Sequence, residues 1–269
     1  MSIMRIVSAV ALLTVLATAP ARAAEPLQPT AKWNVDFGDA HCIAMRSYGP
    51  PDRPITLALK PSPIGDVMQL SVLRVNASKI VDQYEGALTI DRQPPVKVSM
   101  LGYAAAAGKT RVSMINLPLA TYQPIRSASS LRVQSSGVDA TFALSQMEPV
   151  ARALDNCVAG LRKAWNITDA AKDIGPSANP KKPLVSYFDG TDYPAVAARG
   201  EATGTVALVM LVDEAGKIAS CMVTQSSGYA SLDAQSCAIL TARAKFDPVV
   251  VDGKPVKSGR TYRIRWALP

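Results

Sequence analysis

Histidine is nearly missing from this sequence: His41 is the only one in 269 residues. Its scarcity removes the imidazole groups on which most zinc sites, and many nucleophile-and-base mechanisms, depend. His41 adjoins Cys42 with no complementary ligand pair, and no C-x-x-C spacing occurs, so no metal site is expected. A G-x-S-x-G elbow and a phosphate-binding P-loop are also absent. The carboxylates Asp66, Glu85 and Asp91 are scattered rather than spaced as an acid/base pair. Ser226-Ser227-Gly228 reads as a turn between a strand and a helix, not as a nucleophile. These absences predict a protein with no catalytic residues, no cofactor and no small-molecule substrate, and therefore not an enzyme.

Dense charge of one sign is lacking as well. Lys and Arg total 29 against 21 Asp and Glu, a formal charge of +8, yet no basic run exceeds two residues, as at Lys181-Lys182. A nucleic-acid footprint needs Lys and Arg gathered on one face, so nucleic acid is not an expected partner. A thin positive balance fits solubility and loose attraction to anionic surfaces. The main apolar run, residues 6–17, follows Arg5 and precedes Ala21-Arg22-Ala23, which has the small-x-small form of a signal-peptidase site. That run is shorter than the roughly 17–25 residues a spanning helix needs. Residues 1–23 therefore read as a secretory signal, with maturation at Ala24 or Glu25, removing Arg5 and Arg22 and lowering the charge from +8 to +6. The rival reading is a retained inner-membrane anchor. Export to the periplasm is the expected localisation.

The remaining length has room for two domains of about 100–150 residues each. In the first, residues 30–166, short stretches of strand character recur between turn signals: 42–48, 55–60, 68–75, 87–90, 96–101, 111–116, 131–134 and 141–144. Such spacing predicts an antiparallel meander, sandwich or open barrel. A closing helix follows, because Met147, Val150, Leu154, Cys157, Leu161 and Trp165 repeat every three to four residues and form one apolar stripe. Residues 167–186 replace that pattern with Ala, Lys, Ser, Asn and prolines, and read as a linker.

Four cysteines in an exported chain point to two disulfides. Three connectivities are open from the count alone. The domain division narrows them, since Cys42 and Cys157 fall in the first half and Cys221 and Cys237 in the second. Cys157 lies on the apolar stripe of the closing helix. Strand alternation puts Cys221 on the face of Ala219 and Val223, while Cys237 shares a helix face with Ala234, Thr241 and Ala244. Closing the shorter loop is worth about 3 kcal/mol and the longer about 5 in the chain-entropy model. Buried free thiols are the alternative.

In residues 187–269, Pro194 suits the first turn of a short helix over 195–199. A strand over 205–212 leads through a turn at 213–216, with Gly216 free for positive φ, into a partner strand over 217–225. Ser231 has N-cap character for a helix from Leu232 to about Lys245, and Phe246-Asp247-Pro248 ends it. In the last strand, 260–268, Tyr262, Ile264, Trp266 and Leu268 alternate inward against Thr261, Arg263, Arg265 and Ala267. The 205–212 strand is unusual in being apolar on both faces. A half-exposed antiparallel strand alternates with polar residues, so the Ala207, Val209 and Leu211 face is expected to be covered by the first domain, a second copy or a partner.

Six landmarks in this segment stand in a fixed order: Asp192-Tyr193-Pro194, Gly204-Thr205-Val206, Asp213 to Gly216, Ser226-Ser227-Gly228, Leu232-Asp233 and Phe246-Asp247-Pro248. In that order and at those intervals, 187–269 resembles the TonB C-terminal domain family. The local readings of both domains give a fold class of α+β: the mainly antiparallel β domain closed by a helix, plus a small C-terminal TonB-like domain with a three-stranded antiparallel sheet and two helices. The resemblance implies a mode of action, in which a receptor segment adds itself as a strand beside the final strand. The implied partner-binding residues are Arg260, Tyr262, Arg263, Ile264, Arg265 and Trp266, and the implied partner is an outer-membrane receptor or other envelope protein. Arg263 and Arg265 face outward, either to meet carboxylates on that partner or simply to guard a solvated edge against aggregation. The chain departs from TonB in having a β domain where a long proline-rich arm would cross the periplasm. A periplasmic structural or oligomerising protein, including a homo-oligomer, is the alternative.

Overall fold

The computed structural model describes residues 25–64, 67–76, 78–105, 109–167 and 177–268. The signal expected at 1–23, the carboxylate Asp66 and residues 168–176 of the expected linker lie outside the described residues. None of the described helices is long and apolar enough to cross a membrane.

The first unit is one nine-stranded antiparallel sheet, order β1-β2-β3-β4-β7-β6-β5-β8-β9. Its strands are β1 Asn34–Gly38, β2 His41–Tyr48, β3 Ile55–Pro61, β4 Val67–Val75, β5 Asp82–Ile90, β6 Val96–Ala104, β7 Thr110–Pro118, β8 Ser130–Ser135 and β9 Asp139–Ala143. Strict alternation makes β2 legible: Cys42, Ala44, Arg46 and Tyr48 are buried while their neighbours are half-buried. The sheet curls until Leu27 bridges Phe142 on β9 and Pro29 bridges Tyr48 on β2. Tyr48 and Phe142 meet edge to face at 4.9 Å across this closure. A short turn of helix, α1 Leu119–Tyr122, and a 3-10 turn, Gln123–Ser127, connect β7 to β8.

The closing helix, α2 Met147–Ala164, buries Met147, Val150, Leu154, Cys157 and Leu161 in the sheet's core, as the periodicity predicts. Trp165 follows it into the core and donates its indole N–H to the Asp39 carbonyl at 2.7 Å. The Cys42–Cys157 disulfide ties α2 to β2.

The second unit begins with ordered chain. Of the residues read as linker, Ala178 and Leu184 are buried in the C-terminal core, and β10 (Asn179–Pro180) pairs with β13 (Phe246–Asp247). The short helix α3 is Ala195–Arg199. Strands β11 (Gly204–Val212), β12 (Ile218–Gln225) and β16 (Ser258–Trp266) form an antiparallel sheet of order β12-β11-β16. Helix α4, Ala230–Arg243, packs on it, and the Cys221–Cys237 disulfide joins β12 to α4. A small hairpin of β14 (Val249–Val251) and β15 (Lys254–Val256) turns at Asp252 and Gly253, both at positive φ. The Asp-Gly pair is a hairpin signal in the sequence.

Several local expectations need correction. Helix α4 starts at Ala230, its N-cap residue is Tyr229, and no side chain caps it. Ser231 instead lies inside the first turn, where its backbone N–H and hydroxyl donate to Gln83 Oε1 at 3.1 and 2.6 Å. A long-range acceptor has replaced the local cap. The helix stops at Arg243, because Ala244 is already extended. The last strand ends at Trp266, which leaves Leu268 exposed rather than turned inward.

The doubly apolar strand is explained by the first unit. Val206, Leu208, Met210 and Val212 of β11 belong to the core beneath α4. Val209 and Leu211 on the opposite face, with Met222 of β12, join the hydrophobic cluster of the nine-stranded sheet. Removing each such side chain from water is worth about 1.5–3 kcal/mol. Beside them, Leu101, Val112 and Met114 of the large sheet pack on Ala230 of α4. Polar bonds fix the register of this docking: Asn116 donates to Asp233 Oδ2 at 2.9 Å, and Asn166 to the Lys257 carbonyl at 2.7 Å.

Candidate functional site

The landmarks of the C-terminal unit meet one another in space. Asp189 caps a 3-10 turn ending at Asp192, whose carboxylate accepts two bonds of 2.7 Å from the Arg243 guanidinium. Those bonds hold the Asp192 carboxyl below the usual range. The neighbouring Tyr193 donates its hydroxyl to the Ala202 carbonyl and packs edge to face on Trp266 at 5.3 Å. Pro194 then precedes α3. At Gly204 a Cβ would stand 2.7 Å from the Ser227 carbonyl oxygen, so the start of β11 and the turn after β12 need a glycine to lie this close. Gly216 has φ +72 and accepts the Phe246 backbone N–H at 3.1 Å.

Ser226 and Ser227 close the set around Asp233. Its carboxylate accepts the Ser226 hydroxyl at 2.5 Å, and the Ser227 backbone N–H and hydroxyl at 2.9 and 2.8 Å. Burial pushes this carboxyl upward, against the four donors that favour its charge.

This scaffold presents β16 as an edge. It pairs with β11 from Gly204↔Trp266 to Val212↔Ser258, and among the described residues no strand pairs with its other side. Alternate residues of such a strand direct backbone N–H and C=O groups away from the sheet. The edge is covered at its start, where Ser177 donates to the Gly259 carbonyl at 2.9 Å and Arg260 reaches the Ala178 carbonyl at 3.4 Å. Toward its end it borders a cleft of about 310 Å³ lined by Thr203, Thr205, Arg265 and Leu268 among others.

Residues 190–268 match the family model described as Gram-negative bacterial TonB protein C-terminal. They form a TonB C-terminal domain. No curated protein and no solved structure matches the chain.

Within this TonB domain, Arg260 is half-buried beside Ala178, and the other five residues assigned to partner binding divide into two groups. Arg263 and Arg265 are exposed on one face, with Arg263 donating to Gln225 Oε1 at 3.0 Å. Tyr262 and Ile264 are half-buried against the core under α4, and burial raises the Tyr262 phenol. Trp266 is 7% exposed and donates its indole N–H to the Ser236 hydroxyl at 2.9 Å. Its side chain is built into the domain, as is the Cys221–Cys237 disulfide. What these strand residues offer outward is therefore mainly backbone, with Arg263 and Arg265 on the flank.

Sequence reasoning missed the polar contacts that orient the TonB domain on the first unit: Gln83, Ser99 and Asn116, which meet Ser231, Ala230 and Asp233. Each is an ordinary polar residue on a strand. Only the two apolar faces of β11 signalled that something lay across it.

Proposed function

We propose that this chain is an exported envelope protein whose TonB domain binds an outer-membrane receptor or another envelope protein by taking an extended segment of that partner as a fourth strand beside β16. The observation that carries this reading is the unpaired edge of β16, since backbone groups on an open edge bind an added strand with little regard to its sequence. Arg263 and Arg265 supply the selectivity, favouring carboxylates on the incoming segment over lysines.

The test is hydrogen exchange on the full chain with the periplasm-facing segment of an outer-membrane receptor. Strand addition slows amide exchange along 261–266 and leaves β12 unchanged. Exchange along 261–266 that is unaltered at saturating receptor segment would remove the proposal.

The docking of the TonB domain on the first unit favours a second reading, a structural or oligomerising periplasmic protein. Val209, Leu211 and Met222 share a core with that unit, which is unlike a domain carried on a free arm. Under this reading β16 pairs with a second copy, and protection of 261–266 depends on protein concentration without any receptor. Determining the N-terminus and membrane partition of the protein from a Gram-negative host separates a periplasmic binding role, which starts near Ala24, from energy transduction, which requires a retained inner-membrane anchor.

A further inference from the structure

Apolar side chains and cations gather at one end of the nine-stranded sheet, where β4 leads into β5 and β7 begins. Val75, Ile80 and Val81 are 59, 67 and 53% exposed, three of the nine large apolar side chains that stand strongly exposed among the described residues. Singly exposed apolar residues are unremarkable, whereas a group of them on one surface marks an interaction site. The backbone that carries them is pinned. Asn76 donates its backbone N–H to the Lys109 carbonyl at 3.0 Å and accepts the Ser78 N–H on its side chain at 2.7 Å. The buried Arg111 guanidinium donates to the Ile80 carbonyl at 2.5 Å and to the Asp82 carboxylate. Ile80 and Val81 are thus held in place with their side chains in water.

Charge at this end is one-sided. In the β4–β7 register Arg74 stands opposite Arg111 and Val75 opposite Thr110, and Lys79 and Lys109 are exposed beside them. Asp82 is the sole carboxylate of residues 74–82 and 109–111, and Arg111 engages it. In the adjoining β2–β3 turn, Arg53 and Asp52 pair at 3.6 Å and cancel. Arg74, Lys79 and Lys109 remain as uncompensated charge on these strand ends. Aliphatic side chains gain from any apolar medium in proportion to area, and basic residues are drawn to any anionic surface within a Debye length. Neither effect needs a shaped pocket. The aromatic anchors that commonly carry protein–protein binding are missing from residues 74–82 and 109–111. We propose that this end of the sheet docks the protein on an anionic phospholipid surface, with Val75, Ile80 and Val81 entering the interface and Arg74, Lys79 and Lys109 meeting lipid phosphates. The surface does not involve β16, so its failure would leave strand addition untouched.

The test is vesicle sedimentation of the chain in its expected mature form, from Ala24, so that residues 6–17 cannot themselves enter the bilayer. Vesicles of phosphatidylglycerol and phosphatidylethanolamine bind it about tenfold or more tighter than vesicles of phosphatidylcholine. The difference collapses in roughly 1 M salt, where the Debye length is about 3 Å. Ile80→Asp weakens binding about tenfold or more, the loss expected when an isoleucine no longer leaves water. Lys79→Glu with Lys109→Glu removes the preference for phosphatidylglycerol. All three positions are exposed, so the melting temperature without vesicles is unchanged. Val250→Asp, at an exposed position of the β14–β15 hairpin, leaves binding as it was. Ile80→Trp shifts its fluorescence to the blue when anionic vesicles are added. Absence of vesicle binding would overturn the proposal and leave the patch to a protein partner. Equal affinity for the two vesicles, binding unaltered by Ile80→Asp, or an Ile80→Trp emission that does not move would each overturn it as well.

Discussion

Asp192 and Asp233 are both buried in the TonB domain, and their carboxyls shift in opposite directions. At Asp192 the Arg243 bonds lower the pKa below the ordinary 3.8. Its stabilising contribution is complete above that value and is lost as pH falls from 3.8 through the folded pKa. Arg243→Ala removes this contribution, so its deficit relative to the parent is constant at neutral pH and shrinks below 3.8 in urea titrations. At Asp233 burial raises the pKa, so the folded state holds that proton more tightly than the unfolded chain. The sign reverses: its contribution grows as pH falls through the raised pKa toward 3.8 and is smallest where the group is charged. Asp233→Asn places a donor among donors from Ser226, Ser227 and Asn116, and is expected to cost about 1–3 kcal/mol at neutral pH in the same assay. The sequence marks both aspartates as landmarks. It does not reveal their partners, because Arg243 and Asn116 are 51 and 117 residues away.

The secondary-structure elements were legible wherever one period dominates. The α2 stripe and the alternation of β2 need no tertiary information, since one face of each must leave water. The two disulfides match the division of the cysteines between the halves of the chain, which left buried free thiols as the alternative. They close loops of sequence separation 115 and 16, so replacing Cys42 and Cys157 together by Ala costs about 5 kcal/mol, against about 3 for Cys221 and Cys237. Thermal melting of the two double variants checks the order; equal losses would mean that loop length does not govern it. Gly216 illustrates a turn that composition anticipates and packing then makes obligatory, since a Cβ there would strike the Phe246 carbonyl. Gly216→Ala adds positive-φ strain to that clash and is expected to lower stability by more than about 1 kcal/mol in urea unfolding. Ser231 shows the opposite case. Its residue type suited an N-cap, but Gln83, 148 residues distant, supplied an acceptor that local reasoning cannot see.

At the scale of the whole molecule, the TonB domain and the curled sheet share a core through Val209, Leu211 and Met222. Val209→Lys introduces a charge into that junction and is expected to cost about 3 kcal/mol or more. Hydrogen exchange should rise in β4 and β7 as well as in β11, because the large sheet loses its cover. A loss confined to β11 would mean that the two units are energetically separate. Local spacing and residue type were enough for the main strands and helices, for the division of the cysteines between the two halves, for the TonB resemblance and for the need of a cover on β11; β1 and the short strands β10, β13, β14 and β15 were not legible there. Only the tertiary structure shows that the cover is the first unit and that Trp266 serves the domain's own core. The physical reason is range: periodicity fixes which face of an element is apolar, while the identity of the surface that meets that face depends on residues more than a hundred positions away.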